Sequence, residues 1–117
     1  MFTIVILLAA AFVTIDGDTI NLAGEKVRIA NIDAPEIGHA GCADELDLAI
    51  AAKQRLHELL KSGRIALRRG DPVDGRVKDR YGRTLGLITV DGVDVGETLI
   101  REGYARRWTG RREPWCD

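Results

Sequence analysis

Three short clusters in the sequence place charged residues at spacings that suit chemistry on an anion. They read DGDT at 16–19, RIANIDAPE at 28–36 and DRYGR at 79–83. Carboxylates, together with backbone carbonyls and water, are the ligands that Ca²⁺ takes in proteins. The planar guanidinium of arginine meets phosphate oxygens with two parallel hydrogen bonds. The residue types in these clusters therefore suit cation binding and phosphate recognition.

The second cluster carries the most information. Asp33 and Glu36 flank Pro35, which fixes its own backbone and restricts the residue before it, so both carboxylates lie on a rigid turn. Charged groups near a core strand are costly unless they are paired or bind a ligand. Two interpretations stay open from the residues alone: a ligand-binding turn, or a structural ion-pair network of Arg28, Asp33 and Glu36. The first cluster, DGDT at 16–19, also has a structural interpretation, in which its aspartates are present because they suit a hairpin turn.

Composition describes one soluble domain and excludes a multidomain assembly. The chain has 117 residues, 45% hydrophobic and 30% charged, and its 2 cysteines are too few for a disulfide-rich miniature scaffold or a zinc ribbon. Residues 1–60 hold 4 basic and 9 acidic residues, whereas residues 61–117 hold 13 and 9, and 13 of the 17 cations are arginine. The basic half is either an anion-binding surface or an ordinary solvated face.

Glycine and aspartate pairs divide the sequence into short strands. The alternation predicts five strands, over 10–15, 19–22, 26–32, 64–69 and 85–90. One helix is predicted between an N-cap and a C-terminal stop, Asp44 and Gly63, with a core-facing stripe of Leu46, Ala49, Ile50, Leu56 and Leu60. A shorter helix is predicted over 95–102, and residues 70–82 form a polar loop. This order predicts a mainly β, α+β fold with a small, partly open barrel.

The N-terminal residues 1–12 form a nearly unbroken apolar segment. A spanning helix needs about 20 apolar residues, so this segment is too short to cross a membrane by itself. Its length and small residues suit a secretory signal, but it carries no Lys or Arg. We expect a signal-like or tethering segment, or the start of the first strand, ahead of a folded domain over 13–117. A signal-like or tethering segment would favour an exported or membrane-associated protein.

The two cysteines, Cys42 and Cys116, lead to different expectations in different compartments. In an exported protein we expect a disulfide that holds the tail against the loop before the first helix. In a cytosolic protein both would be inert thiols. A metal site that includes His39 is disfavoured, because these three residues offer at most three ligands.

Taken in order, the three clusters resemble the pattern of the staphylococcal nuclease-like (thermonuclease) family, which reads D-G-D-T, then R-x-x-x-x-D-x-P-E, then D-[KR]-Y-G-R. The resemblance covers about residues 13–106. It implies an OB-fold, five-stranded barrel with two to three helices. It also implies a Ca²⁺-dependent endonuclease that hydrolyses DNA and RNA with little sequence specificity and leaves 3′-phosphate ends. Single-stranded or denatured nucleic acid is the expected substrate, for a monomer with no obligate protein partner.

The resemblance also implies a role for each matching position. The expected metal ligands are the carboxylates of Asp18 and Asp33 and the backbone carbonyl of Ala34. The expected catalytic residues are Glu36, as general base, with Arg28 and Arg83 on the scissile phosphate. Arg80 and Tyr81 match the residues that hold a terminal phosphate and line the nucleotide pocket.

Two departures from the family pattern concern substrate binding. A base-contacting aromatic residue of some members falls near Thr109, so Tyr104, Trp108 or Trp115 must replace it if base stacking is retained. Residues 106–112 are either a basic, aromatic-interleaved surface for a single strand or a solvated tail. The alternative function is a non-catalytic nucleic-acid-binding or protein-interaction module on the same barrel. Such modules typically lose the metal carboxylates or the arginines, which this chain retains.

Overall fold

The structure, a computed structural model, describes residues 11–117 in full and residues 4–7 by their backbone. Its described strands are β1 (Ile4–Leu7), β2 (Phe12–Asp16), β3 (Thr19–Leu22), β4 (Glu25–Ile29), β5 (Ile32–Asp33), β6 (Ile65–Arg69), β7 (Thr84–Val90), β8 (Val93–Asp94) and β9 (Arg106–Arg107). The helices in this part of the chain are α1 (Ala43–Lys61) and α2 (Val95–Arg101). The expected α+β composition is confirmed. None of the described helices is long and apolar enough to cross a membrane.

The longer strands form one curled sheet in the order β1-β6-β7-β4-β3-β2, with β8 added at β7. All paired strands in it are antiparallel except β4 and β7, which run parallel. The two ends of this order, β1 and β2, are consecutive in sequence, and the chain from Leu7 to Phe12 spans about 18 Å at most. The sheet therefore curls until its edges approach each other. This is the expected OB-type barrel, and the five predicted strands are β2, β3, β4, β6 and β7.

Two of the predicted strands differ from the observed ones by more than one residue at an end. The strand predicted over 10–15 is found at Phe12–Asp16, and residue 10 lies outside the described part of the chain. The strand predicted over 26–32 is wrong in its second half, because β4 ends at Ile29. The chain turns at 30–31, where the Asn31 carbonyl accepts a hydrogen bond from the Trp108 N–H, and β5 then pairs with β9. The turn brings Asp33 away from the main sheet and towards the C-terminal segment.

The predicted long helix is confirmed, but its start and its inner face differ from the prediction. Cys42, not Asp44, is the N-cap, and it makes no side-chain capping bond. Leu46 and Ile50, predicted to face the core, are 36% and 42% exposed. The buried residues of α1 are Ala49, Ala52, Leu56 and Leu60. The prediction was right for Ala49, Leu56 and Leu60 and wrong for Leu46 and Ile50. The buried stripe continues at three- and four-residue spacing through Ala52, which lies against Gly17 in the β2–β3 turn, and Ile50 falls outside it. The second helix, α2, is confirmed and is capped by Asp94, which accepts the Glu97 N–H at 2.9 Å.

The core lies between the curled sheet and the two helices. Its buried side chains come from β3, β4, β6, β7, α1 and α2, and they include Ile20, Val27, Ile29, Leu56, Leu67, Ile88 and Leu99. Cys42 and Cys116 form a disulfide, so the alternative left open by the sequence is decided in favour of the bonded pair. This bond ties the C-terminal residues to the beginning of α1. It closes a loop of 74 residues, and loops of that size correspond to a stabilisation of about 4 kcal/mol.

Gly17, in the β2–β3 turn, packs closely against other parts of the barrel. A Cβ atom at this position would lie 2.8 Å from Ala52 Cβ on α1 and 2.9 Å from Ala34 Cβ. Neither alanine can move without a shift of its backbone. The turn that carries Asp16 and Asp18 is therefore held against both α1 and the turn after β5.

We predict that Gly17→Ala lowers the free energy of unfolding by about 1–3 kcal/mol, because the added methyl overpacks this contact. Gly38→Ala is the matched control, since a Cβ at Gly38 would meet nothing within 4 Å and the expected change is within about 0.5 kcal/mol. Urea denaturation of both variants measures the difference. Equal midpoints for Gly17→Ala and wild type would contradict the packing account.

Candidate active site

Two buried carboxylates lie together where the β2–β3 turn meets the end of β5. Asp18 is 6% exposed and Asp33 is 5% exposed. The Oδ1 atom of Asp18 accepts the Thr19 hydroxyl at 3.0 Å, and its Oδ2 atom accepts the Ala34 N–H at 2.9 Å. These two bonds fix the Asp18 carboxylate and join the turn at 16–19 to the turn at 33–36. The structure thus brings Asp18, Asp33 and Ala34 together, as the resemblance implies.

Two of the acidic side chains at this place, Asp33 and Asp16, have raised pKa values. Burial raises the pKa of Asp33, and the nearby Asp18 carboxylate raises it further. Burial also raises the pKa of Asp16, with smaller contributions from Asp18 and Glu36, although a hydrogen bond from the Ile37 N–H opposes the shift. Asp16 is a residue that the sequence interpretation did not single out from its cluster. The fold therefore maintains a concentration of negative charge that it does not fully compensate.

Three arginines supply the partial compensation. Arg28 Nη2 lies 3.7 Å from Asp18 Oδ2, and Arg106 Nη2 lies 3.6 Å from Asp33 Oδ2. Arg112 Nη1 lies 2.7 Å from Glu36 Oε1. The sequence interpretation identified Arg28 but left Arg106 and Arg112 in a basic tail without assigned contacts. The only signal for them in the sequence was the clustering of arginine at 106–112.

The donor set around Asp18 and Asp33 fits a hard divalent cation. It offers the carboxylate oxygens of two buried aspartates, and the Ala34 N–H bonded to Asp18 joins the two turns that carry them. The raised pKa values of Asp16 and Asp33 reflect a cost of negative charge that a bound cation would relieve. Glu36, whose side chain is 28% exposed, borders the same cluster without being enclosed in it.

Arg28 lies between the acidic cluster and an open cleft. It extends from β4, and its Nη1 atom donates to the Ile29 carbonyl and, at 2.8 Å, to the Ile32 carbonyl. Its guanidinium carbon lies 5.7 Å from the centre of the Trp108 ring. These contacts fix the plane of the guanidinium while it still borders the cleft.

The third charged cluster, 79–83, forms a tight turn that holds Arg83. The Asp79 carboxylate accepts Arg83 Nε at 2.6 Å and also accepts the backbone N–H groups of Tyr81 and Arg83. Burial alone would raise the pKa of Asp79, but these hydrogen bonds outweigh it and lower the pKa. Arg80 Nη2 donates to the Tyr81 hydroxyl at 2.8 Å, and the Tyr81 ring is exposed. Asp79 is thus a positioning group that the sequence interpretation did not assign.

The cleft has a volume of about 500 Å³, and its charged lining is largely arginine. Its lining includes the predicted phosphate-binding and nucleotide-binding residues Arg28, Arg80, Tyr81 and Arg83, with Trp108 and Arg112. Ala34 and Glu36 line a neighbouring cavity of about 410 Å³, and Arg112 lines both. Of the aromatic residues considered for base stacking, Trp108 is the one at the cleft: Tyr104 packs on the core and Trp115 lies under Arg106. The roles of all these residues remain predictions.

Fold and site together define a protein of the staphylococcal nuclease class. The family model described as "Staphylococcal nuclease homologue" matches residues 26–115, and the chain belongs to this family. It is 39% identical to "Endonuclease YncB" of Bacillus subtilis over 98 residues, which cover 79% of this chain and 44% of that protein. It is 38% identical to "Micrococcal nuclease" of Shigella flexneri over 112 residues, covering 83% and 57%. With "Endonuclease YhcR" of Bacillus subtilis it shares 36% over 101 residues, covering 78% and 8%. The chain therefore spans less than two thirds of the length of these relatives.

We predict that Asp33→Asn raises the melting temperature of the metal-free protein at neutral pH. The folded-state pKa of Asp33 lies above its ordinary value, so the folded protein holds this proton more tightly than the unfolded chain does. Its contribution to stability is thus present at low pH and is lost as pH rises through the folded value. Asparagine removes the cost of the ionised group and, with it, the carboxylate that we predict to be a metal ligand.

Thermal melts with chelator and with Ca²⁺ measure both effects. Wild type is expected to melt at a higher temperature in Ca²⁺, because a ligand that binds the folded state stabilises it, whereas Asp33→Asn shows no such increase. Asp47→Asn, at an exposed site on α1, is the control and retains the wild-type response. A Ca²⁺-induced increase in Asp33→Asn equal to that of wild type would exclude Asp33 as a ligand.

Proposed function

We propose that this protein is a hydrolytic, Ca²⁺-dependent endonuclease of the staphylococcal nuclease type. The observation that carries the proposal is the placement of Arg28, which contacts Asp18 of the acidic cluster and also lines the arginine-rich cleft. A phosphodiester bound in that cleft would lie next to the oxygen ligands of the cluster. Family membership and the names of the relatives support the same activity.

In this proposal the Ca²⁺ ligands are Asp18, Asp33 and the backbone carbonyl of Ala34. When bound, the cation would stabilise negative charge on a phosphate oxygen and lower the cost of attack by water. The protein supplies the rest of the environment. Ala34 is held in place by the hydrogen bond from its N–H to Asp18, and Gly17 packs against it.

The arginines act on the phosphate. Arg28 and Arg83 are fixed before substrate binds, by backbone carbonyls in one case and by Asp79 in the other. Attack on a phosphodiester builds charge on the non-bridging and leaving oxygens, and donors already in position stabilise that charge without reorganisation. Two guanidinium groups on one phosphate supply this stabilisation.

Glu36 is the proposed general base. Hydrolysis adds water across the P–O5′ bond: the water oxygen bonds to phosphorus and one of its protons passes to the Glu36 carboxylate. The 5′ oxygen leaves with the electron pair of the broken bond and takes a proton from solvent. The products are a 3′-phosphate and a 5′-hydroxyl. Glu36 must be ionised and within reach of the attacking water for this role.

The open cleft suits single-stranded or denatured DNA and RNA. Tyr81 and Trp108 offer ring faces, which accept any base, and the surrounding arginines accept the backbone phosphates. This lining does not imply side chains that distinguish the bases by hydrogen bonds to their edges, so we expect little sequence specificity. The Cys42–Cys116 disulfide supports an oxidising compartment as the place of action.

We predict that purified protein digests denatured DNA and RNA with Ca²⁺ and not with chelator. Arg28→Ala, Arg83→Ala and Glu36→Gln are each expected to reduce kcat by about 10²–10³-fold or more. Lysine at positions 28 or 83 is expected not to restore the rate, because a point charge does not reproduce the guanidinium fork. Arg64→Ala, which removes an exposed arginine outside the cleft, serves as the matched control.

End-group analysis completes the test. Fragments are expected to accept a label at their 5′ ends from a polynucleotide kinase without prior phosphatase treatment. A folded wild-type protein that binds single strands but cuts nothing in Ca²⁺ or Mg²⁺ would replace this proposal with the non-catalytic binding module. Full activity in Glu36→Gln would remove Glu36 from the role of base.

A further inference from the structure

The C-terminal segment, residues 106–117, folds across the acidic side of the site as a strap. Arg106 closes the strap on itself, because its Nη1 atom donates to the Pro114 carbonyl at 3.1 Å and its Nη2 atom to the Glu113 carbonyl at 2.8 Å. The Arg106 guanidinium also lies 3.6 Å from the centre of the Trp115 ring. The Cys42–Cys116 disulfide then attaches the end of the strap to the start of α1. The strap is thus anchored at both of its ends, by β9 and by the disulfide.

The strap places Arg112 in contact with Glu36. Arg112 Nη1 lies 2.7 Å from Glu36 Oε1, and within the described part of the chain the Glu36 carboxylate has no other ion pair. Arg112 itself lines both the arginine-rich cleft and the cavity that contains Glu36. Its side chain is 61% exposed, so it is not needed to fill the core.

We propose that Arg112 is a positioning residue that orients the Glu36 carboxylate for catalysis, and that the disulfide-anchored strap presents Arg112 for this purpose. The inference rests on the proposed function, because it assigns a partner to the proposed general base. It also makes the nuclease dependent on oxidation of Cys42 and Cys116, the second of which lies 80 residues after Glu36 in the sequence.

Loss of Arg112 should affect the rate of catalysis much more than the stability of the fold. An exposed ion pair contributes little to folding, so loss of Arg112 is expected to leave the melting temperature nearly unchanged. Catalysis is far more sensitive, because a displacement of about 1 Å in a catalytic group costs about 10²-fold in rate. A lysine ammonium at this position would keep the positive charge beside Glu36 without the guanidinium geometry, so it can replace part of the contact.

The first experiment compares Arg112→Ala and Arg112→Lys with wild type in steady-state digestion of denatured DNA. Arg112→Ala is expected to lower kcat by about 10–10²-fold with KM changed less than about threefold, and Arg112→Lys to recover part of kcat. Arg101→Ala, an exposed arginine at the end of α2, controls for loss of one positive charge. Wild-type kcat in Arg112→Ala, or a kcat above wild type, would overturn the proposal, the latter by showing an autoinhibitory contact.

The second experiment tests the link to the disulfide by a double-mutant cycle. Cys42→Ser/Cys116→Ser is expected to lower kcat to about the Arg112→Ala level, and Arg112→Ala in that background to add little further loss. The assay temperature is chosen well below the melting transition, and circular dichroism at that temperature checks that each variant is folded, so that differences in kcat do not come from unfolding. Fully additive losses would show that the disulfide does not act through Arg112.

A third readout needs no activity. In protein labelled with ¹³C at the glutamate carboxyl carbons, the Glu36 resonance is assigned by its absence in Glu36→Gln. It is expected to shift in Arg112→Ala and in the cysteine double variant, but not in Arg101→Ala. An unmoved resonance in Arg112→Ala would refute the contact. If wild-type protein cuts nothing while the resonance shifts as expected, the proposed function fails and the contact stands.

Discussion

The structure depends on the burial of Asp18 and Asp33 side by side, where burial and the neighbouring Asp18 carboxylate raise the pKa of Asp33. A domain of this size tolerates such a cost only if the surrounding chain holds the two turns together. Three features do so: the hydrogen bond from the Ala34 N–H to Asp18, the close packing of Gly17, and the pairing of β5 with β9. All three bring the acids together rather than apart, which is the expected arrangement for a cation site.

The arginines of the site are also held in place by the protein itself, before any substrate binds. Arg28 is held by backbone carbonyls at the end of β4, and Arg83 is held by Asp79 inside its own turn. Because Arg28 contacts both Asp18 and the cleft, the negative and positive halves meet at one guanidinium. In the proposed function, a phosphate bound in the cleft would lie next to this guanidinium. Preorganisation of this kind lowers the cost of stabilising charge in a transition state.

The local motifs predicted much of the site, because each acid or arginine in them is positioned by its immediate neighbours. Pro35 makes the turn at 33–36 rigid, and the Asp79 carboxylate caps the turn that carries Arg83. The partners from the C-terminal segment could not be predicted in the same way. β5 and β9 have two residues each, too few for an alternating pattern, and the disulfide expected for an exported protein does not indicate which arginines of the segment it brings to the acids. For α1, hydrophobicity favoured Ile50 as a core residue, whereas the space beside Gly17 admits only a residue as small as Ala52.

The most direct test of the account is calorimetric titration of Ca²⁺ into the wild-type protein, with and without a cleavage-resistant phosphorothioate single strand. The account predicts a single binding event, and tighter Ca²⁺ binding when the strand is present, because a phosphate in the arginine cleft would share the cation with Asp18 and Asp33. By reciprocity the strand should bind more tightly with Ca²⁺ by the same factor. Absence of Ca²⁺ binding, or an affinity that the strand leaves unchanged, would contradict the claim that the buried acids and the cleft form one site.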